Sequence, residues 1–148
     1  MNFKGTVTIK APREKVFQHL TTPEALTKCV PGLESMEVVV PGERFRAVAS
    51  VGFGAIKARF VTDAEWTNLE PPNRASMKVV GKAPGSVANA TSEMVLSDGE
   101  GGATILHWST DVTIIGAIAS LAARLMGVVT QKLTDSFFQC VRAQIEEP

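Results

Sequence analysis

The stretch "TKCVPGLESMEV", residues 27–38, marks the point where an amphipathic helical segment ends and a strand segment begins. Pro31 cannot continue a helix because it lacks an amide hydrogen and restricts the residue before it. Gly32 then lets the chain reverse its direction. From this turn to Ile115 the sequence alternates between apolar and polar residues, which is typical of half-buried strands. The turn therefore separates a short helical part from a long run of strands.

Before the turn, the sequence predicts one strand followed by two short helices. Residues 3–9 alternate apolar and polar side chains, as expected for a strand with one buried face. Pro12 opens the first helix, and Pro23 begins the second, for which Thr22 is the predicted N-cap.

After the turn, the sequence predicts six strands and one long helix. The strand segments are separated by "PGE", "GFG", "EPPN", "APG" and "SDGEGG", whose residues favour turns. Residues 116–145 contain no proline and repeat apolar residues at steps of three and four, which indicates a helix roughly 45 Å long. This order predicts one α+β domain, residues 1–148, with the helices on one face of an antiparallel sheet.

The predicted inward faces of the strands are rich in small side chains. Alanine recurs there at Ala47, Ala49, Ala58, Ala64, Ala88 and Ala90. Such a face either lets the helix approach the sheet closely or leaves room for a ligand. Hydroxyl groups at Thr62, Ser92 and Thr110 would supply a few polar contacts. The strand pattern by itself leaves both interpretations open.

Composition excludes several classes of function. Fifteen basic and fifteen acidic residues give no net charge at pH 7, and their scatter indicates no footprint for nucleic acid or anionic lipid. The most apolar stretch falls short of the roughly 20 residues that span a bilayer. Cys29 and Cys140 stand at unrelated positions and no signal peptide is visible, so we expect reduced thiols in a cytoplasmic protein rather than a disulfide.

The residues that commonly carry chemistry do not form a recognisable constellation. His19 and His107 lack the spacing of metal ligands, and Cys29 has no base as a neighbour. The segment "VGFGAI" lacks the third glycine of a phosphate-binding loop and joins two strands. We therefore predict no catalytic residue, no metal and no cofactor.

Several segments resemble one known family. The segment "TVTIKAPREKVFQHLTTPEALTKCVPGLESMEV" looks like the carbon monoxide dehydrogenase G-subunit family, which belongs to the START-like (SRPBCC) helix-grip superfamily. "VGFGAIKARF", "GKAPGSVANATSEMVLSDGEGGATILHW" and "DVTIIGAIASLAARLM" are similar as well, so the resemblance covers nearly the whole chain. It implies a seven-stranded antiparallel sheet curved around the long C-terminal helix, with an apolar cavity between them.

The resemblance also implies a function. The expected protein is a non-catalytic carrier of a hydrophobic small molecule, quinone- or lipid-like, accessory to a carbon monoxide dehydrogenase-type molybdenum hydroxylase. It would be cytoplasmic or peripheral at the inner membrane face. Members of the family often continue to a C-terminal membrane-associating segment, whereas this chain ends at "QIEEP". Either an anchor has been removed, or this member works as a soluble carrier.

With this fold, we expect the ligand to lie between the long helix and the sheet. The predicted lining residues are Phe60, Trp66, Met94, Trp108, Ile118, Leu125, Val129 and Leu133. Pro31, Gly32 and Leu33 are predicted to border the entrance, as the hinge of a lid. Two other functions stay open: an adaptor that docks the dehydrogenase through exposed Phe53 and Phe138, and a cavity enzyme of the cyclase or hydrolase type.

Overall fold

A computed structural model describes residues 1–146 of the chain; Glu147 and Pro148, which end the predicted domain and the "QIEEP" segment, lie outside the described residues. The elements are β1 (Asn2–Ile9), α1 (Arg13–Thr21), α2 (Pro23–Thr27), β2 (Leu33–Val40), β3 (Arg44–Phe53), β4 (Ile56–Glu70), β5 (Arg74–Ala83), β6 (Ser86–Asp98), β7 (Thr104–Gly116) and α3 (Ala119–Ile145). A short 3-10 turn, Glu100–Gly102, connects β6 to β7.

The strands form one seven-stranded antiparallel sheet in the order β1-β7-β6-β5-β4-β3-β2. Strands β2 to β7 follow one another as hairpins, and β1 pairs along β7, so that β1 and β2 are the two edge strands. The predicted α+β arrangement of strand, two short helices, six strands and long helix is therefore confirmed. Among residues 1–146, none of the helices combines the length and apolarity that crossing a bilayer requires.

Two helix boundaries differ in detail from the prediction. α3 begins at Ala119 rather than at residue 116, because β7 runs on to Gly116 and the Ala117 amide donates to the carbonyl of Gly85 at 2.9 Å. Thr22 precedes α2 but does not cap it with its side chain. Its hydroxyl instead donates to the Gln18 carbonyl at 2.5 Å, so this threonine closes the end of α1.

The apolar interior is divided into two clusters. The first cluster lies where α1, α2 and the C-terminal part of α3 meet β1, β6 and β7; its most buried members include Ile9, Val16, Leu106, Val141 and Ile145. The second cluster lies between the N-terminal half of α3 and the β3–β4 hairpin, and its buried members are Phe53, Ala58, Phe60, Ala122 and Val129. α3 therefore packs firmly on the sheet at each of its two ends.

The expectation that Phe53 is exposed is wrong, and Phe138 is only partly exposed. Phe53 is only 2% exposed, because the β3–β4 hairpin folds onto α3; a Cβ placed on Gly54 would lie 3.4 Å from Cδ1 of Leu125. Phe138 is half-buried and packs against the first cluster, with its ring centroid 5.1 Å from that of Phe137. Phe53 is therefore not available as the apolar docking spot that the adaptor hypothesis required, whereas part of Phe138 stays accessible in a groove between β1 and α3.

The expectation of two reduced thiols is also wrong, since Cys29 and Cys140 form a disulfide. The fold places the end of α2 against the last third of α3, and the two Cα atoms lie 5.4 Å apart, within the range that a disulfide bridges. Disulfides are rare in reducing compartments. The cytoplasmic localisation therefore stays a prediction and loses the support of free thiols.

We predict that Gly127→Ala raises the free energy of unfolding by about 0.5–1 kcal/mol, because glycine is costly inside a helix. Gly127 is exposed on α3, and an added Cβ would meet no atom within 4 Å. Urea denaturation measures the change. Gly116→Ala is the contrasting control: its φ is +107° and its Cβ would overlap the Gly85 carbonyl oxygen, so it should destabilise. A less stable Gly127→Ala protein would contradict this account of α3.

Candidate functional site

The centre of the sheet and α3 are held apart. The backbone of α3 lies close to β1, β3 and β7 over longer stretches than it does to β4, β5 and β6. The inner face of these central strands carries apolar and hydroxyl side chains, in the alternation that the sequence predicts. Any space between α3 and the sheet therefore lies over the middle of the sheet.

The inner face is partly open to solvent at that place. Side chains there are half-buried and lie outside the two apolar clusters, although they are on interior strands; they are Thr62, Met77, Val79, Ala90, Ser92 and Thr110. A close-packed interior would bury residues in this position almost completely. Ala64 and Val112, which lie on the same face opposite Val79 and Ala90, are buried, so solvent reaches only part of the inner face between the clusters.

Hydroxyl groups supply the polar part of this region. The Oγ atoms of Ser92 and Thr110 are hydrogen-bonded at 2.8 Å across β6 and β7. On the buried stripe of α3, Thr130 is only 8% exposed, and its Oγ1 makes no hydrogen bond with the described residues. A buried hydroxyl without a partner costs about 1–3 kcal/mol, so water or a ligand would gain by pairing with it. The sequence holds a signal for Thr130: it is a polar residue next to the apolar positions Met126, Val129 and Leu133 of the long helix.

The predicted lining residues fall into two groups rather than one site. Trp66, Met94 and Trp108 are half-buried and pack against the first cluster, whereas Phe60, Ile118, Leu125, Val129 and Leu133 belong to the second cluster or pack against it. The two groups stand at opposite ends of the open middle region. Their part in ligand binding stays a prediction.

The predicted entrance turn at residues 31–33 is held in place. A Cβ on Gly32 would overlap the Ser50 carbonyl oxygen, and the Ser50 amide donates to the Gly32 carbonyl at 2.9 Å. Leu33 pairs with Ala49 at the start of β2. Cys29, just before the turn, is tied to α3 by the disulfide. The chain needs glycine at position 32 for this close approach and for its φ of +75°.

Two surface grooves of ligand size lie outside the helix–sheet space. The larger, about 820 Å³, lies between the end of β1 and the β6–β7 connection, and none of the predicted lining residues is in it. The smaller, about 540 Å³, lies between β1 and α3. Trp108 lines the smaller groove and also packs against the first cluster. We therefore regard the smaller groove as the one connected with the predicted site.

Titratable groups with shifted pKa values lie on the outer face of the sheet. Hydrogen bonds from Ser50 and then Arg59 hold the pKa of the Glu34 carboxyl below its ordinary value. A hydrogen bond to Asp63 raises the pKa of Arg46. Within residues 1–146 no three His, Cys, Asp or Glu side chains gather in a way that could hold a metal ion.

Comparison with known proteins agrees with this architecture. A conserved protein from Geobacillus kaustophilus is 25% identical and superposes with a TM-score of 0.90, over 99% of this chain and 95% of that chain. TTHA0849 from Thermus thermophilus is 20% identical, with a TM-score of 0.70 over 98% and 97% of the two chains. The Zhui aromatase/cyclase from Streptomyces sp. R1128 is 16% identical, with a TM-score of 0.76 over 99% and 93%. These likenesses confirm the helix-grip fold.

Family membership rests on the sequence itself. No curated protein matches the chain. The model of one family, described as the G subunit of carbon monoxide dehydrogenase (CoxG), matches residues 5–146, which is nearly the whole chain. The quoted segments that carry the resemblance fall within this range. The chain belongs to the CoxG family, the carbon monoxide dehydrogenase G-subunit family.

Proposed function

We propose that this protein is a non-catalytic carrier, which holds a hydrophobic small molecule between α3 and the inner face of the sheet. The family and its helix-grip neighbours fit a ligand-binding accessory protein. The molecule is quinone- or lipid-like, and the carrier serves a carbon monoxide dehydrogenase-type molybdenum hydroxylase. It acts in the cytoplasm or at the inner face of the membrane. The family name supports the link to a dehydrogenase.

One observation carries this proposal: the middle of the inner face is accessible although α3 covers it. Met77, Val79 and Ala90 offer apolar surface there, and Thr62, Ser92 and Thr110 offer hydroxyl groups. An apolar surface with a few polar groups is the usual lining of a small-molecule site. Because these polar groups are neutral, they suit an uncharged molecule, whose burial avoids the cost of desolvating an ion.

We expect decylubiquinone to quench the fluorescence of the tryptophans in a saturable manner, with a dissociation constant in the micromolar range. Trp66 and Trp108 are half-buried at the edge of the accessible region, and a quinone seated there would lie near both indoles. The measurement is a fluorescence titration of the purified protein. A fluorescent fatty acid, titrated in the same way, distinguishes a quinone-like from a lipid-like preference.

The variants Trp66→Phe and Trp108→Phe each keep one tryptophan, so they show which indole the probe quenches. Free tryptophan serves as the control for quenching by collision. Purely linear quenching by both probes, equal to that of free tryptophan, would contradict the carrier proposal. Conversion of a bound probe into a new product, detected by mass spectrometry, would instead favour the enzyme hypothesis. Co-purification of the dehydrogenase from cells, with and without the bound molecule, tests the accessory role.

A further inference from the structure

Several contacts hold the predicted entrance at residues 31–33 in place. Its backbone is locked against β3 by the Gly32–Ser50 contact, and the Cys29–Cys140 disulfide joins the preceding helix to α3. Opening this entrance would require these contacts to break. A route elsewhere along α3 would leave these contacts intact.

The opposite edge of the sheet, at β1, has a groove beside α3. β1 is an edge strand, and the groove of about 540 Å³ runs between β1 and α3. Val7, Trp108 and Phe138 provide apolar surface in the groove, and all three also pack against the first cluster. These three side chains therefore stand between the groove and the first cluster.

Gly5 determines where the Trp108 ring can lie at this boundary. It lies opposite Trp108 in the pairing of β1 with β7, and a Cβ at this position would lie 2.8 Å from three atoms of the indole. Such a distance is shorter than a van der Waals contact, so any other residue would displace the indole. Glycine at position 5 therefore leaves room for the Trp108 indole, which lines the groove and also packs against the first cluster.

Much of the groove lining is polar. Lys4, Gln131, Gln139 and Arg142 line it together with the three apolar side chains. Two charged groups at the groove are already engaged: the Asp135 carboxylate accepts from Gln131 at 2.8 Å, and Arg142 donates to Glu146 at 3.4 Å. In such a mixed lining the polar groups stay hydrated while the apolar side chains offer contact to a hydrophobic molecule.

We propose that the β1–α3 groove is the portal through which the hydrophobic ligand reaches the space under α3, with Trp108 as the first apolar surface that it meets. This inference rests on the proposed carrier function. It replaces the lid at residues 31–33 by a passage at the other edge of the sheet.

The experiment measures association and dissociation rates of decylubiquinone by stopped-flow tryptophan fluorescence. Thr134 is half-buried on α3 and lines the groove across from β1, so Thr134→Phe should obstruct the passage. We expect both rate constants to fall at least tenfold while the dissociation constant changes less than threefold. Gln139 also lines the groove but is exposed, so Gln139→Phe should lower both rate constants as well. This second variant keeps the test valid if Thr134→Phe fails to fold.

The matched control is Ser136→Phe, which places the same side chain on an exposed part of α3 outside the groove and should leave both rates unchanged. Pro31→Ala should also leave them unchanged. Two results would overturn the portal: unaltered rates in both groove variants that still bind saturably, or slower rates in Pro31→Ala alone. Either result would leave the carrier function unaffected. Absence of saturable binding to the unsubstituted protein would overturn both proposals.

Discussion

Removal of the disulfide between Cys29 and Cys140 lowers the free energy of unfolding by about 3–5 kcal/mol. The bond joins residues 111 positions apart, and closing a loop of that length restricts the unfolded chain strongly. The chain-entropy relation gives about 4.7 kcal/mol for a loop of about 100 residues, and measured losses are commonly smaller. The measurement is guanidinium denaturation of the protein with and without a phosphine reductant.

The control is the double variant Cys29→Ser/Cys140→Ser, which should be as unstable as the reduced protein and insensitive to the reductant. The double variant is preferable to either single one, because a single substitution leaves an unpaired thiol that can form wrong disulfides. Equal denaturation midpoints with and without reductant, after mass spectrometry has verified the thiols, would contradict this prediction.

The effect of reduction on the fold should be local at first. Cys29 stands at the end of α2, and its partner lies on α3 beside the first cluster. Reduction frees α2 and the turn at residues 31–33, while the strand pairing does not depend on the bond. The second cluster, which lies around Phe53 and Val129, is far along α3 from Cys140 and should keep its packing.

The order of elements could be predicted because local sequence determines each boundary. Pro31 and Gly32 end the helical part, glycine and proline mark the hairpins, and period-two alternation assigns the inward faces of β3, β4, β6 and β7. The burial of Ala58, Phe60 and Ala64 on one face of β4 confirms that assignment. The helix-grip arrangement then followed from the resemblance to a family, since periodicity alone does not show how a helix crosses a sheet.

The disulfide could not be predicted, because two cysteines so far apart in sequence meet only through the packing of α2 on α3. Phe53 was misplaced for a related reason: its hairpin position indicates exposure, whereas the tip bends onto Leu125. Prediction of the candidate site from sequence is limited in the same way, because it depends on how distant elements pack. Alternation identifies Ser92 and Thr110 as inward, but their accessibility depends on the distance at which α3 stands from the central strands.

Replacing Ala90 by leucine should abolish saturable quenching by decylubiquinone while changing the free energy of unfolding by less than about 1 kcal/mol. Ala90 lies in the middle of β6, opposite Val79 and Val112, and it is half-buried on the inner face. If a space is present above it, the leucine side chain occupies that space and excludes the probe. It also gains apolar burial there, so no large loss of stability follows.

The matched control is the same substitution at Ala75, which also faces inward but is 1% exposed within the first cluster. Leucine has no room there, and overpacking typically costs about 1–3 kcal/mol. The two variants add the same atoms to neighbouring strands, so the difference between their stabilities measures the room above Ala90 directly. If Ala90→Leu is destabilised as much as Ala75→Leu, the interior is solid at that point and the carrier has no space for its ligand. If Ala90→Leu is stable and still binds decylubiquinone, the ligand lies elsewhere, and the β1–α3 groove becomes its binding site instead of its passage.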